Sequence, residues 1–290
     1  MAATMSASAK PAFRYYWLLM RPVNLGIILL TMSLFMLHAS HWEVNNLRWP
    51  DALMVLFAVV FTAAAGYVIN DILDIEEDII NKPEKRIVSK HISIKSGLVF
   101  YGFLVLGSLV FGFMTGLVMG LICAAINVLL YFYSSDLKGS TLWGNLLISF
   151  MNAVVVFFSA KGVDEKYDGY FAEYAFLAFL ITLAREVVKD IEDTEGDKTQ
   201  EYETLPIVYG AKKAIWFTMA VLTVLNVHLI YLMTESAKPL FIGYTAALVV
   251  LPVFYFYFRL LTATEKSDFT RIQRMLKWLM ISGILSVVLV

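Results

Sequence analysis

The chain has 290 residues, 59% of them hydrophobic and 16% charged, with a mean hydropathy of +0.70. A soluble domain is roughly 45–50% apolar and roughly 25% charged, so this surplus argues against a soluble enzyme and for a polytopic membrane protein. A net charge of -1 offers no basic surface to nucleic acid, and the single cysteine, Cys123, rules out a disulfide framework or a cysteine-held metal.

In chain order, residues 1–14 read as a disordered tail, and residues 15–290 as a single all-α transmembrane domain. A helix needs about 20 mostly apolar residues to cross roughly 30 Å of hydrocarbon. Nine segments qualify, near 15–37, 51–70, 97–115, 117–134, 141–160, 170–188, 214–233, 239–258 and 275–290. The uncharged stretch 97–135 is long enough for two spans that turn near Gly116. Residues 265–277 read as a solvated connector. The first segment looks like a signal peptide, but Arg21 and Asn24 interrupt it and further spans follow. Polar side chains inside a span face a cavity or a partner, which makes Arg21 and Asn24 candidate functional residues. With the N-terminus cytoplasmic, 19 of the 23 lysines and arginines fall in cytoplasmic segments and 4 in external ones, as the positive-inside rule requires.

Fourteen of the 24 acidic residues lie in two stretches, six in 71–84 and eight in 186–203, each after an apolar span and each on the cytoplasmic side. In the first, Asp71, Asp74 and Asp78 stand at i, i+3 and i+7, on one helical face with Asn70. In the second, Glu186, Asp190, Asp193 and Asp197 share a face. Like charges on one stripe repel, and at a span end they are poorly hydrated, so each stripe calls for a cation. None of the four histidines (His38, His41, His91, His228) has ligand spacing. Oxygen ligands alone favour a hard ion, magnesium before calcium. Magnesium typically takes one or two carboxylates plus phosphate oxygens and water. Two facing stripes therefore predict a diphosphate clamped between them by Mg2+.

At these residues the sequence resembles the UbiA family of intramembrane prenyltransferases. That family's NDxxDxxxD motif is matched at Asn70, Asp71, Asp74 and Asp78, followed by Asn81-Lys82-Pro83. Its DxxDxxGD motif is matched at Asp190, Asp193, Gly196 and Asp197, followed by Thr204-Leu205-Pro206. Lesser matches are Arg21-Pro22 with Asn24, Lys138 and Asn145. The chain departs from the pattern at Arg86, Glu201 and Arg185, where many members have proline, glycine and tyrosine.

The resemblance implies nine helices around a central cavity and a Mg2+-dependent transfer from a polyprenyl diphosphate. Asp71, Asp74 and Asp78 would hold one Mg2+, and Asp190, Asp193 and Asp197 another. Lys138 and Lys189, then Lys85 and Arg86, would steady the leaving group, with Asn70 binding metal or orienting an aspartate. Tyr133, with Tyr67 and Tyr131, would offer aromatic faces to an allylic cation. Arg21, Asn24 and Asn145 would border the acceptor. The second motif is most similar to geranylgeranylglyceryl-phosphate geranylgeranyltransferases, which implies geranylgeranylglyceryl phosphate as acceptor. The alternatives are an aromatic quinone precursor such as 4-hydroxybenzoate and, in another class, a divalent-cation transporter. The expected setting is the plasma (inner) membrane of a prokaryote, with the site facing the cytoplasm and no obligate protein partner beyond the lipid bilayer.

Overall fold

A computed structural model describes residues 12–81, 83–84, 86–160 and 169–290. These residues form helices joined by turns, with one isolated bridge between Val88 and Ile92.

The first predicted span, 15–37, is two helices rather than one. Helix α1 (Ala12–Leu19) ends before Arg21, and α2 (Pro22–Ala39) starts immediately after it. Pro22 accounts for the break: it has no N–H to continue α1, and its fixed φ suits the first position of a new helix. Arg21 takes the left-handed conformation, φ 53° and ψ 65°, at a cost of roughly 1–2 kcal/mol. Residues 1–11, most of the assigned tail, lie outside the described residues, and helix is already present at Ala12.

Helix α3 (Trp49–Leu73) is capped by Asp74, and α4 (Ile75–Asn81) resumes one residue later. Helices α5 (Ile94–Thr115) and α6 (Leu117–Ser135) meet at Gly116. A φ of 144° there needs glycine, and the turn falls where the sequence placed it. Helix α7 (Trp143–Ser159) is followed by α8 (Gly169–Thr199). At 31 residues, α8 is about 46 Å long and outruns the predicted span 170–188 by three turns. The second acidic stretch is that overhang.

A short α9 (Leu205–Tyr209) leads into α10 (Ala211–Glu235). Helices α11 (Pro239–Thr245) and α12 (Leu251–Thr262) run on through a π turn, Ala246–Val250, which accommodates Pro252. The last helix, α13 (Lys266–Leu285), begins nine residues before the predicted span. The stretch read as a solvated connector is its first half. The Asp268 carboxylate starts it by accepting the backbone N–H groups of Thr264 and Glu265, at 3.2 and 3.3 Å.

Among the described residues, seven helical stretches are long and apolar enough to cross a membrane: α2, α3, α5, α6, α10, α11–α12 and α13. Helix α7 is apolar but shorter, and α8 carries the acidic overhang. Buried apolar side chains form three groups. One joins α2, α3, α5 and α6, with Met32, Val55 and Val68 among its members. Another joins α8, α10, α12 and α13, with Val187, Leu222 and Leu276. The third ties α2 and α7 to α8 through Phe35, Val156 and Phe171. Large apolar side chains also face outward, Trp143 and Trp278 at 71% and 67% exposure, as lipid contact requires. The protein is an integral membrane protein.

Candidate active site

The site assembles where α3 gives way to α4. Asn70 is buried on the last turn of α3, and the Arg21 guanidinium donates to Asn70 Oδ1 at 3.2 Å and to Asp71 Oδ1 at 2.5 Å. The same guanidinium stands over the Tyr67 ring, 5.2 Å from its centroid. Asp74 then caps α3, and α4 resumes immediately after it. Lys138, in the turn after α6, donates to Asp74 Oδ1 and also to Glu77 Oε2 at 3.1 Å. All three of these side chains are about nine-tenths buried. Asp78 lies one residue further round α4, its backbone N–H donating to the Asp74 carbonyl at 2.8 Å. Glu77, which the spacing had left out, is therefore part of the site.

Helix α8 supplies the opposing wall, and its unbroken overhang keeps Glu186, Asp190, Asp193 and Asp197 on one face as expected. Asn145 on α7 donates to Asp190 Oδ2 at 2.7 Å. Lys189 sits 3.7 Å from Glu186, which also accepts from Arg185 at 2.7 Å. Asn81, the last residue of α4, joins the two acidic segments. Its Nδ2 donates to the Asp193 carbonyl and its Oδ1 accepts the Gly196 N–H, both at 3.2 Å. Gly196 leaves room for this contact, since a Cβ at that position would collide with the Asn81 amide. Thr204 donates to Asp197 Oδ2 at 3.4 Å.

The charges respond to one another across this junction. Burial raises Asp74 above the ordinary carboxylate range, with Lys138 opposing and Glu77 adding to the shift. Against the effect of burial, Asp74 and Glu77 hold the Lys138 ammonium protonated well above its usual range. Asp197, in the overhang beyond the span, is pushed up to about 7 by burial and by the nearby charges of Glu77 and Asp193. Acids from both segments thus lie close enough to repel.

Among the described residues, no three acidic or imidazole side chains are gathered as a ready-made metal cage. The donor set still fits Mg2+. It is all oxygen, it is buried, and it is charged in excess of its local cations. Magnesium needs only one or two carboxylates when phosphate and water complete its shell.

Beside these acids a cavity of about 190 Å³ opens between the two helical halves. Its polar end is lined by Arg21, Asn24, Tyr67, Asn70, Tyr133 and Lys189, and its apolar end by residues such as Ile28, Val59, Val155 and Phe158. A second chamber of about 80 Å³ shares Ile27, Ile28, Asn152, Val155, Thr182 and Met280 with the first, and reaches Phe35 and Tyr174. The structure thus gathers most of the predicted site residues. Tyr131 is exposed away from the cavity. Arg86 is half-buried with Nε lacking a hydrogen-bond partner among the described residues, and Lys85 lies outside the described residues. The sequence reading missed Glu77, Asn81 as a bridge, and Lys277, which reaches the cavity from α13.

Comparison with known proteins identifies relatives of the chain. The UbiA prenyltransferase family profile matches residues 23–281. Over 265 residues the chain is 31% identical to digeranylgeranylglyceryl phosphate synthase of Methanothermobacter thermautotrophicus, spanning 89% of each chain. A solved structure described as giving insight into digeranylgeranylglyceryl phosphate synthase in membranes superposes with a TM-score of 0.69 at 26% identity, over 96% of this chain and 99% of the other. A UbiA homolog from Archaeoglobus fulgidus, solved bound to GPP and Mg2+, shares the fold, with a TM-score of 0.64 at 16% identity over 94% and 99% of the two chains.

Proposed function

The chain belongs to the UbiA prenyltransferase family, and we propose that it transfers a geranylgeranyl group from the diphosphate to the free glycerol hydroxyl of geranylgeranylglyceryl phosphate. The observation that carries this reading is that two acidic segments, from α3–α4 and α8, are joined through Asn81 and border, through Asn70, Glu186 and Lys189, a cavity with both polar and apolar lining. A substrate with a charged head and a long isoprenoid tail matches both kinds of lining. Relatives that carry the digeranylgeranylglyceryl phosphate synthase name support the glycerol-phosphate acceptor. Family membership sets aside the transporter reading.

In the reaction the allylic C–O bond breaks and diphosphate leaves with the electron pair. The acceptor oxygen forms the new C–O bond and gives up its proton. When bound, Mg2+ neutralises the leaving diphosphate. Asp71, Asp74 and Asp78 would hold one ion, and Asp190, Asp193 and Asp197 another. The protein's own groups prepare that place. Arg21 orients Asp71 and Asn70, Asn145 orients Asp190, and Asn81 sets the spacing of α4 and α8. Lys138, Lys189, Lys85 and Arg86 supply positive charge where negative charge develops. Tyr67 and Tyr133 line the cavity and would offer aromatic rings to an allylic cation formed there. The charge asymmetry of the loops supports nine spans, a cytoplasmic N-terminus and a site facing the cytoplasm, and the relative from Methanothermobacter thermautotrophicus supports the plasma membrane of a prokaryote. Helices α7 and α8 would be the remaining two spans.

The test is transfer by the purified full chain in lipid, from labelled geranylgeranyl diphosphate, with geranylgeranylglyceryl phosphate and 4-hydroxybenzoate offered in parallel. Magnesium-dependent, EDTA-sensitive label in the glycerol lipid is the expected result. Label only in the aromatic acid would replace the acceptor.

A further inference from the structure

Two zones of opposite charge adjoin at the site, one among the acids beside the cavity and one in the cavity wall. The zone around Asp74, Glu77 and Asp197 is acidic, as a metal-bridged anion requires. The other lies where α2, α8 and α13 face one another. Arg21, Arg185, Lys189 and Lys277 line the cavity there, and Glu186 is the one acidic side chain among its lining residues. Arg21 is matched by Asp71, and Glu186 is shared by Arg185 and Lys189. Lys277 is paired with no carboxylate among the described residues. Its Nζ donates to Asn24 Oδ1, and its charged neighbours are the guanidinium groups of Arg185 and Arg21. The Nε of Arg185 is buried without a hydrogen-bond partner among the described residues. Among the described residues, Lys277 thus has no carboxylate beside it and Arg185 a buried donor with no acceptor, in a space that water and lipid solvate poorly.

Uncompensated charge of this kind is costly unless an anion arrives to meet it. A phosphate monoester suits it, with a charge of roughly -1.5 to -2 at neutral pH and three strong acceptor oxygens. An aromatic carboxylate brings a single charge. A diphosphate bridged by metal needs the carboxylates of the other zone, where Lys138 is already engaged by Asp74 and Glu77. Arginine suits a planar fork of phosphate oxygens, and lysine supplies a point charge beside it. Directly inward lie Ile27, Ile28 and Met280, an apolar surface for the chain attached to such a headgroup.

We propose that Lys277 and Arg185, with Asn24 beside them, form a metal-independent subsite for the phosphate monoester of the acceptor, and that this subsite selects a phosphorylated lipid over an uncharged or aromatic one. The proposal deepens the function given above and rests on it.

The test separates the two. Binding of dodecyl phosphate and of dodecanol to the full chain in detergent is measured in EDTA, for wild type, Lys277→Gln, Lys277→Arg and Arg185→Gln. Binding of geranylgeranyl diphosphate with Mg2+ is measured alongside. Wild type is expected to prefer the alkyl phosphate by at least about tenfold, the scale of one or two charge-assisted hydrogen bonds. Both glutamine variants are expected to lose most of that preference and Lys277→Arg to keep it, with diphosphate binding shifted less than about twofold throughout. An unchanged preference in the glutamine variants overturns the subsite. An equal loss of diphosphate binding in them, with Lys277→Arg folded and intact, assigns these cations to the diphosphate and also overturns it. If wild type binds alkyl phosphate through Lys277 yet prenylates only 4-hydroxybenzoate, the subsite stands and the acceptor reading falls. If wild type prenylates geranylgeranylglyceryl phosphate and KM for that lipid is unmoved by Lys277→Gln, the acceptor stands and the subsite falls.

Discussion

Lys138 neutralises two carboxylates, Asp74 and Glu77, in a place where all three side chains are nearly out of solvent. Removing one partner of a buried ion pair typically costs ~3–5 kcal/mol, because the other charge stays behind. Lys138→Met is therefore expected to lower Tm in detergent and to cut kcat at least ~100-fold. A carboxyl whose folded-state pKa lies above its unfolded one destabilises the fold as pH rises past that value. Burial and Glu77 already raise Asp74, so part of the lost Tm should return as pH is lowered, in thermal unfolding of the variant between about pH 8 and 5. Asp197 sets a second pH dependence. With its pKa at about 7, a proton competes with the metal below neutrality. Mg2+ affinity should fall by up to about tenfold per pH unit below about pH 7 and level off above it. Magnesium titrations of diphosphate binding at several pH values measure this directly. A flat profile would remove Asp197 from the metal site.

The joint between α4 and α8 depends on one asparagine fitting against one glycine. A methyl group at position 196 would occupy the place of the Asn81 amide. Gly196→Ala is expected to push the acidic segments apart and reduce activity at least tenfold, about the loss of a misplaced catalytic geometry. Asn81→Ala removes hydrogen bonds without a clash. The pair Asn81→Ala with Gly196→Ala should then be no worse than Asn81→Ala alone, a non-additivity that steady-state rates resolve. The motif spacing made the α8 stripe legible because that helix runs unbroken to Thr199. It did not make Glu77 legible. Glu77 stands three residues after Asp74, on the same helical face, but outside the motif pattern, and its partner Lys138 is distant in sequence. Pro22 gave a warning of the break in the first span. Lys277 was hidden for another reason: the charged residues at the start of α13 look like a loop, although they form one face of a helix whose other face packs through Phe269, Ile272 and Leu276.

Taken whole, the molecule was readable in outline because a bilayer allows few solutions. Backbone polar groups must be satisfied within each span, so apolar runs of sufficient length translate into helices. Lysine and arginine counts add an expected orientation. Cavity shape was not readable, since it arises from contacts among helices distant in sequence, such as Lys277 with Asn24. The side assignment has its own test. In a Cys123→Ser background, single cysteines at Ser89 and Thr264 should react with an impermeant thiol reagent only from the cytoplasmic side of oriented vesicles, and a cysteine at Ser236 only from the outside. Labelling of Ser89Cys and Ser236Cys from the same side would contradict the nine-span topology.

The central claim is that the two acidic segments act together on one diphosphate. The measurement that tests it most directly is Mg2+-dependent binding of labelled geranylgeranyl diphosphate to wild type, Asp71→Asn, Asp190→Asn and the double variant. Each single change is expected to weaken binding at least about tenfold, and the double variant to bind little worse than either single, because both act on one shared ligand. Two single variants that bind as wild type does, with magnesium still required, would contradict it.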